Sequence, residues 1–211
     1  MTDAFFDWDL WRHCVAQDLG HISYPNLNTQ MQWLQPLQID TFRPAAVMVL
    51  VETGEVAKVV LTVRSLQLQQ HGGQVAFAGG KQDDSDRDLV ETALRETHEE
   101  LGIASSQIEI IGQMPPLPTV SAYQVHPVIG LLSPQSRMVP NEGEVAKVFT
   151  VPLAHLMQPE RYQHYPIVRD DHVFYTVKFP HPEHIWGATA TILLALAEHY
   201  QSCVRTHGQG V

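Results

Sequence analysis

The stretch ALRETHEELGI, Ala93 to Ile103, carries Glu96, Glu99 and Glu100, with Arg95 directly before them and Gly102 just after. On a helix, positions i, i+3 and i+4 share a face, so the three carboxylates converge. Like charges at this spacing cost about 0.2–0.5 kcal/mol per pair in an isolated helix. A divalent cation reverses that penalty. Hard cations such as Mg²⁺ take oxygen ligands, commonly one or two carboxylates completed by water and substrate phosphates. Arg95, one turn before Glu99, is placed to hold that carboxylate by a bidentate pair. The acidity is also local: from Asp83 to Glu100 there are eight acids and only two bases, Arg87 and Arg95. A solvated acidic face is the plain alternative. The spacing favours a helix that holds a metal against a phosphate-bearing substrate.

That helix needs defined ends and a sheet to lie on. Asp88 with Glu91 three residues later reads as a capping box, and Gly102 as the C-terminal stop. Between them, Ala93, Thr97 and Leu101 form a stripe suited to a core. AAVMVLVE (Ala45–Glu52) is a valine-rich buried strand, and VAKVVLTVRS returns after a turn as its hairpin partner. LQLQQHGGQVAFAGG (Leu66–Gly80) is a loop with two glycine pairs, where backbone can approach a ligand closely. IEIIGQ, YQVHPVIGLL, EVAKVFTVPLAHL and HVFYTVKF read as further strands, and WGATATILLALAEHYQSC as a closing amphipathic helix whose Trp186 and Ile192–Leu196 belong to the core. The expectation is an α+β fold with a mixed β-sheet covered on both faces. Residues 1–40 read as a partly helical N-terminal extension, 41–200 as the main domain, and 201–211 as a flexible tail.

Composition narrows the class. A chain of 211 residues with 44% hydrophobic and 17% charged residues is globular and large enough for a real core. No apolar run approaches the roughly 18 residues of a membrane span, and MTDAFFDWDLWRHC lacks the basic start of a secretory signal. The 23 acids against 13 bases exclude a general affinity for nucleic-acid backbones. Cys14 and Cys203, near opposite ends, read as reduced thiols of a cytoplasmic protein, with a disulfide between them as the alternative. A homodimer is compatible with all of this.

The segment GGKQDDSDRDLVETALRETHEELGI (Gly79–Ile103) resembles the Nudix box, a glycine and a glutamate followed by R-E-U-x-E-E-x-G-U. Arg95, Glu96, Thr97, Glu99, Glu100, Gly102 and Ile103 fill the second half in order, with Thr97 where the pattern has an aliphatic residue. Asp86 stands at the glutamate spacing of the first half, and one extra residue precedes Arg95. The resemblance implies a Nudix α/β/α sandwich with the box as loop-helix-loop, Mg²⁺ or Mn²⁺ as cofactor, and hydrolysis of a nucleoside diphosphate linked to another group. It implies Glu96 and Glu100 as principal metal ligands, Glu99 as a third ligand or bridge, and Glu99 and Arg95 as part of the catalytic apparatus. Glu144, in PNEGEVAKVF, is the candidate fourth ligand or general base.

The stretch before the box, VLTVRSLQLQQHGGQVAFAGG (Val60–Gly80), is similar to the motif of coenzyme A pyrophosphatases through Leu61, Thr62, Arg64, Ser65, Gly73, Phe77, Gly79 and Gly80. PPLPTVSAYQVHPVIG and IWGATA extend that likeness over roughly residues 45–195. It implies cleavage of coenzyme A to 3′,5′-ADP and 4′-phosphopantetheine, with Arg64, Ser65, His71, Gly79 and Gly80 on the substrate. Gln69 replaces a motif arginine and Ala78 a motif proline. An arginine fork suits phosphate, so Gln69 leaves open a broader pyrophosphatase for ADP-ribose, dinucleotides or dephospho-coenzyme A. A non-catalytic, nucleotide-sensing Nudix module is the alternative from another class.

Overall fold

The structure, a computed structural model, describes residues 6–17, 19–25, 39, 41–169 and 172–207. The central strand β1 (Arg43–Glu52) alternates its side chains between two cores: Ala46, Met48 and Leu50 face one way, Val49 and Val51 the other. A strand apolar on both faces needs cover on both faces. β1 runs parallel to β7 (Tyr123–Leu132) along its whole length, and antiparallel to β4 (Ala78–Lys81) and to the start of β2 (Lys58–Arg64). β2 carries β3 (Val75–Ala76) and β8 (Val145–Pro152), while β7 carries β5 (Ile108–Gln113) and β6 (Leu117–Pro118). One parallel pair among antiparallel ones makes the sheet mixed.

Helix α2 (Leu89–Leu101) covers the Met48 face through Ala93 and Leu101. On the Val49 face lie α4 (Gly187–His207) and, against it, α1 (Trp8–Gln17), with Ile192, Leu193, Leu196, Trp11 and Val15 filling the core. The short α3 (Leu153–Leu156) follows β8. The layering is therefore the α/β/α arrangement. A second sheet of β9 (Gln163–Arg169), β10 (His172–Phe179) and β11 (Ile185–Trp186) leads directly into α4. Among the described residues β9 pairs only with β10, which suits Pro166, since proline is confined to sheet edges.

Three expectations are corrected. Residues 201–207 are not a loose tail but the last turns of α4, held by buried Tyr200 and by Cys203. The Tyr200 hydroxyl accepts the Asp7 N–H at 2.9 Å. Cys14 and Cys203 are not free thiols: packing of α1 on α4 brings their Cα atoms within 6.3 Å, and they form a disulfide across 189 residues. The reduced-thiol ground for a cytoplasmic setting therefore falls away. Trp186 lies in β11 rather than in the helix. Of the N-terminal extension, residues 1–5, 18, 26–38 and 40 lie outside the described residues, as do 208–211 at the C-terminus. No helix among the described residues is long and apolar enough to cross a membrane.

Candidate active site

Local sequence aims the acidic helix. Asp88 caps α2 by accepting the Glu91 N–H at 2.8 Å, while the Glu91 carboxylate reaches back to the Arg87 N–H at 2.7 Å. At the other end Gly102 takes φ 69°, the left-handed turn that glycine adopts without penalty, and donates to the His98 carbonyl. Thr97 fills the aliphatic position fully buried because its hydroxyl is satisfied by the Ala93 carbonyl at 2.6 Å.

The glutamates do not share one environment. At about 100° per residue, Glu100 falls roughly 20° from the core-facing Ala93, Glu96 about 60° and Glu99 about 120°. Side-chain exposure follows that order: 3% for Glu100, 13% for Glu96 and 48% for Glu99. Glu96 lies directly over Gly80, where a Cβ would sit 2.5 Å from its carboxylate. Gly80 is therefore the floor on which Glu96 rests.

Glu100 is a buried carboxylate with incomplete partners. Its Oε1 faces Arg64 Nη1 at 3.4 Å, and its Oε2 has no close hydrogen-bond partner among the described residues. Burial pushes its pKa up to about 8; Arg64 and, more weakly, the Gly79 N–H oppose that shift, and Glu96 and Glu144 add to it. Burial also raises Glu96, against the pull of Arg95 and with Glu99 and Glu144 adding repulsion. Glu144 thus stands within electrostatic reach of both. It is placed there by a turn at the C-terminal end of α2: Asn141 N–H donates to the Glu100 carbonyl at 3.0 Å, Glu144 N–H to Asn141 O at 3.0 Å, and Ser65 N–H to Glu144 O at 2.8 Å.

Arg95 does pair with Glu99 as its spacing suggested, but with one nitrogen only. Its fork closes on Asp86, with Nε–Oδ1 at 2.9 Å and Nη2–Oδ2 at 3.0 Å, while Nη1 reaches Glu96 at 2.8 Å and Glu99 at 3.2 Å. Asp86 is 3% exposed and also accepts from the Thr92 hydroxyl and the Asp83 N–H. Arg95 beside it holds the Asp86 carboxyl well below the usual range. The extra residue before Arg95 is absorbed in the Asp83–Asp88 turn, so the shorter aspartate still meets the arginine. Five carboxylates (Asp86, Glu96, Glu99, Glu100, Glu144) face two guanidiniums (Arg64, Arg95), a formal surplus of three negative charges.

The cluster borders a cleft of about 530 Å³ between the main sheet and the β9–β11 sheet. Arg64, His71, Gly79 and Gly80 all line it. His71 has φ 59°, an uncommon backbone for a non-glycine residue, and its ring Nδ1 lies 3.0 Å from Gln74 Oε1. Gly79 is required by close approach, since a Cβ there would strike the Ala46 carbonyl. Ser65 is not on the cleft: it is buried, and its backbone instead anchors the Glu144 turn. Gln69 is exposed and also off the cleft. Sequence reading missed the opposite wall, Leu117–Ser121 with Tyr123 and Ile167, and assigned Trp186 and Ile192 only to the core, whereas both line the cleft.

The residues present fit a divalent cation. An unpartnered buried carboxylate oxygen on Glu100, a second carboxylate seated on Gly80, and a surplus of negative charge all call for a hard cation with oxygen ligands. Among the described residues no three His, Cys, Asp or Glu side chains are already gathered as a ligand set. Glu96 is turned to Arg95 and Glu100 to Arg64, and a cation would have to recruit them from these partners.

Comparison with known proteins identifies the family. The NUDIX domain matches residues 41–171. The uncharacterized Nudix hydrolase NudL of Pectobacterium atrosepticum is 42% identical over 157 residues, which cover 74% of this chain and 81% of that protein. NudL of Photorhabdus laumondii is 37% identical over 163 residues, 77% of this chain and 87% of the other. Among solved structures, a MutT/nudix family protein from Enterococcus faecalis aligns over 97% of this chain and 81% of its own with a TM-score of 0.50 at 14% identity, a likeness of fold. The matched region contains β1, the glycine loop, the acidic helix and the Glu144 turn, and on these grounds the chain belongs to the Nudix hydrolase family.

Proposed function

We propose that the protein hydrolyses the pyrophosphate bond of coenzyme A or one of its derivatives, giving 3′,5′-ADP and 4′-phosphopantetheine, with Mg²⁺ or Mn²⁺ as cofactor. The observation that carries this reading is the joining of the carboxylate cluster to the cleft. Arg64, Gly79 and Gly80 stand where the two meet, and the walls beyond them (Phe77, Leu117, Val125, Ile167, Trp186) are apolar. A pyrophosphate flanked by a long, largely aliphatic arm suits that sequence of surfaces.

Glu100 and Glu96 would hold the cation, with Glu99 as a further oxygen donor. The cation supplies charge neutralisation for the pyrophosphate and a lower pKa for the attacking water. The protein's own groups do the rest. Arg64 grips phosphate oxygens from the cleft side, the glycine backbone lets the substrate approach, and Arg95, locked on Asp86, positions Glu96. Glu144 takes a proton from the water as its oxygen bonds to phosphorus. The bridging phosphorus–oxygen bond breaks, and each product leaves as a phosphate monoester. The complete set of Glu96, Glu99 and Glu100 speaks for turnover over a sensing role.

A second reading, cleavage of ADP-ribose, dinucleotides or dephospho-coenzyme A, draws on one observation: Gln69 is exposed and outside the cleft, so this position offers no grip on a 3′-phosphate. The test is a comparison of kcat/KM for coenzyme A, dephospho-coenzyme A, ADP-ribose and NADH. Coenzyme A is expected to be the best substrate; a higher value for any other would move the assignment to it. Turnover of a nucleotide substrate is the remaining ground for a cytoplasmic setting.

A further inference from the structure

Among the described residues, the one cation in contact with Glu100 is also a wall of the cleft. Arg64 Nη1 faces Glu100 Oε1 at 3.4 Å, and the Arg64 side chain is 25% exposed and lines the cleft. Its backbone is pinned: its N–H donates to Gln74 O at 2.9 Å and its carbonyl accepts the Gly73 N–H at 2.9 Å. Arg64 also sits at the irregularity where the β2–β8 register shifts, directly beside the Glu144 turn. Any change at this residue is therefore a swing of the side chain alone. A guanidinium and a divalent cation cannot both lie against one buried carboxylate without strong mutual repulsion.

We propose that Arg64 has two positions: without a metal its guanidinium lies against Oε1 of Glu100, and a divalent cation taking the free Oε2 of the same carboxylate repels it into the cleft to grip the substrate's phosphate. The inference rests on the metal-dependent reading above and adds an order to it, with metal first and substrate second. The residue that closes on the substrate is released only once the carboxylate has its cation. Arg64 is thus both the competitor for the metal site and the substrate clamp.

The test is Mn²⁺ binding without substrate, followed by the electron paramagnetic resonance signal of free Mn²⁺. In Arg64→Met, which keeps a stem of similar shape and loses the charge, Mn²⁺ is expected to bind about threefold to tenfold tighter than in the wild type. KM for the pyrophosphate substrate should rise in the same variant. Arg64→Lys retains charge without the matching fork and should lie between the two in Mn²⁺ affinity. It carries the test if the Met variant does not fold by circular dichroism. Unchanged or weaker Mn²⁺ binding in the folded variants would overturn the two-position role while leaving the metal site standing. A wild type that binds no Mn²⁺ would overturn both.

Discussion

Glu100→Gln separates the cost of the site from its use. Glu100 is 3% exposed, and burial pushes its carboxyl from an ordinary 4.5 up to about 8. A carboxyl raised on folding binds more protons in the native than in the unfolded state between these two values. The metal-free protein should therefore lose stability as pH rises from about 4.5 to about 8, by about 1.4 kcal/mol per pH unit from this group. At pH 7 that amounts to about 3 kcal/mol, and glutamine, which resembles the protonated acid, avoids it. Urea unfolding in EDTA should then show Glu100→Gln more stable than the wild type at pH 7, and nearly equal to it at pH 4. Saturating Mg²⁺ should stabilise the wild type and leave the variant unmoved, because binding to the native state alone raises stability. Turnover of the variant should be abolished. Equal stabilities at both pH values would refute the reasoning, and so would a variant less stable at pH 7. Either result would mean that burial does not raise the Glu100 carboxyl at a cost to the stability of the metal-free protein.

Three further outcomes follow from the geometry. Asp86→Asn removes the anionic half of the fork on Arg95 and should lower stability by about 2 kcal/mol in urea unfolding, with a fall in kcat as Glu96 loses its positioned neighbour. Gly80→Ala places a Cβ 2.5 Å from the Glu96 carboxylate. It should weaken Mn²⁺ binding while the near-ultraviolet circular dichroism stays that of the wild type. Trp186→Ala removes an apolar wall of the cleft and should raise KM about tenfold with a smaller change in kcat, read from steady-state kinetics.

The box helix was legible in the sequence almost to the residue, because its limits are set by local chemistry: an aspartate cap at Asp88 and a left-handed glycine at Gly102. The central strand was legible for the same kind of reason, since AAVMVLVE is apolar on both faces and needs two layers of cover. The inequality of the three glutamates was also present in the sequence. A helix turns about 100° per residue, and placing Glu100 beside the Ala93 stripe separates it from Glu99. Treating all three as one face hid that.

What stayed hidden depends on long-range packing. The Arg95–Asp86 fork spans nine residues through a turn held by the Asp83 side chain accepting from Ser85 and the Asp88 side chain capping the helix. The disulfide depends on α1 meeting α4 across 189 residues. The cleft wall draws on β3, the loop after β6, β9, β10 and the start of α4, none of which signals a shared surface by its own pattern. Ser65 matches the motif of a substrate-facing residue, and only the fold reveals that it faces the Glu144 turn.

The most direct measurement is mass spectrometry of the products formed from coenzyme A in ¹⁸O-labelled water, with Mg²⁺ present and in a parallel sample with EDTA. The account predicts 3′,5′-ADP and 4′-phosphopantetheine in equal amounts, one ¹⁸O atom per turnover carried on a single product, and no reaction in EDTA. Intact coenzyme A in the Mg²⁺ sample would contradict it, as would cleavage at the 3′-phosphate instead of the pyrophosphate.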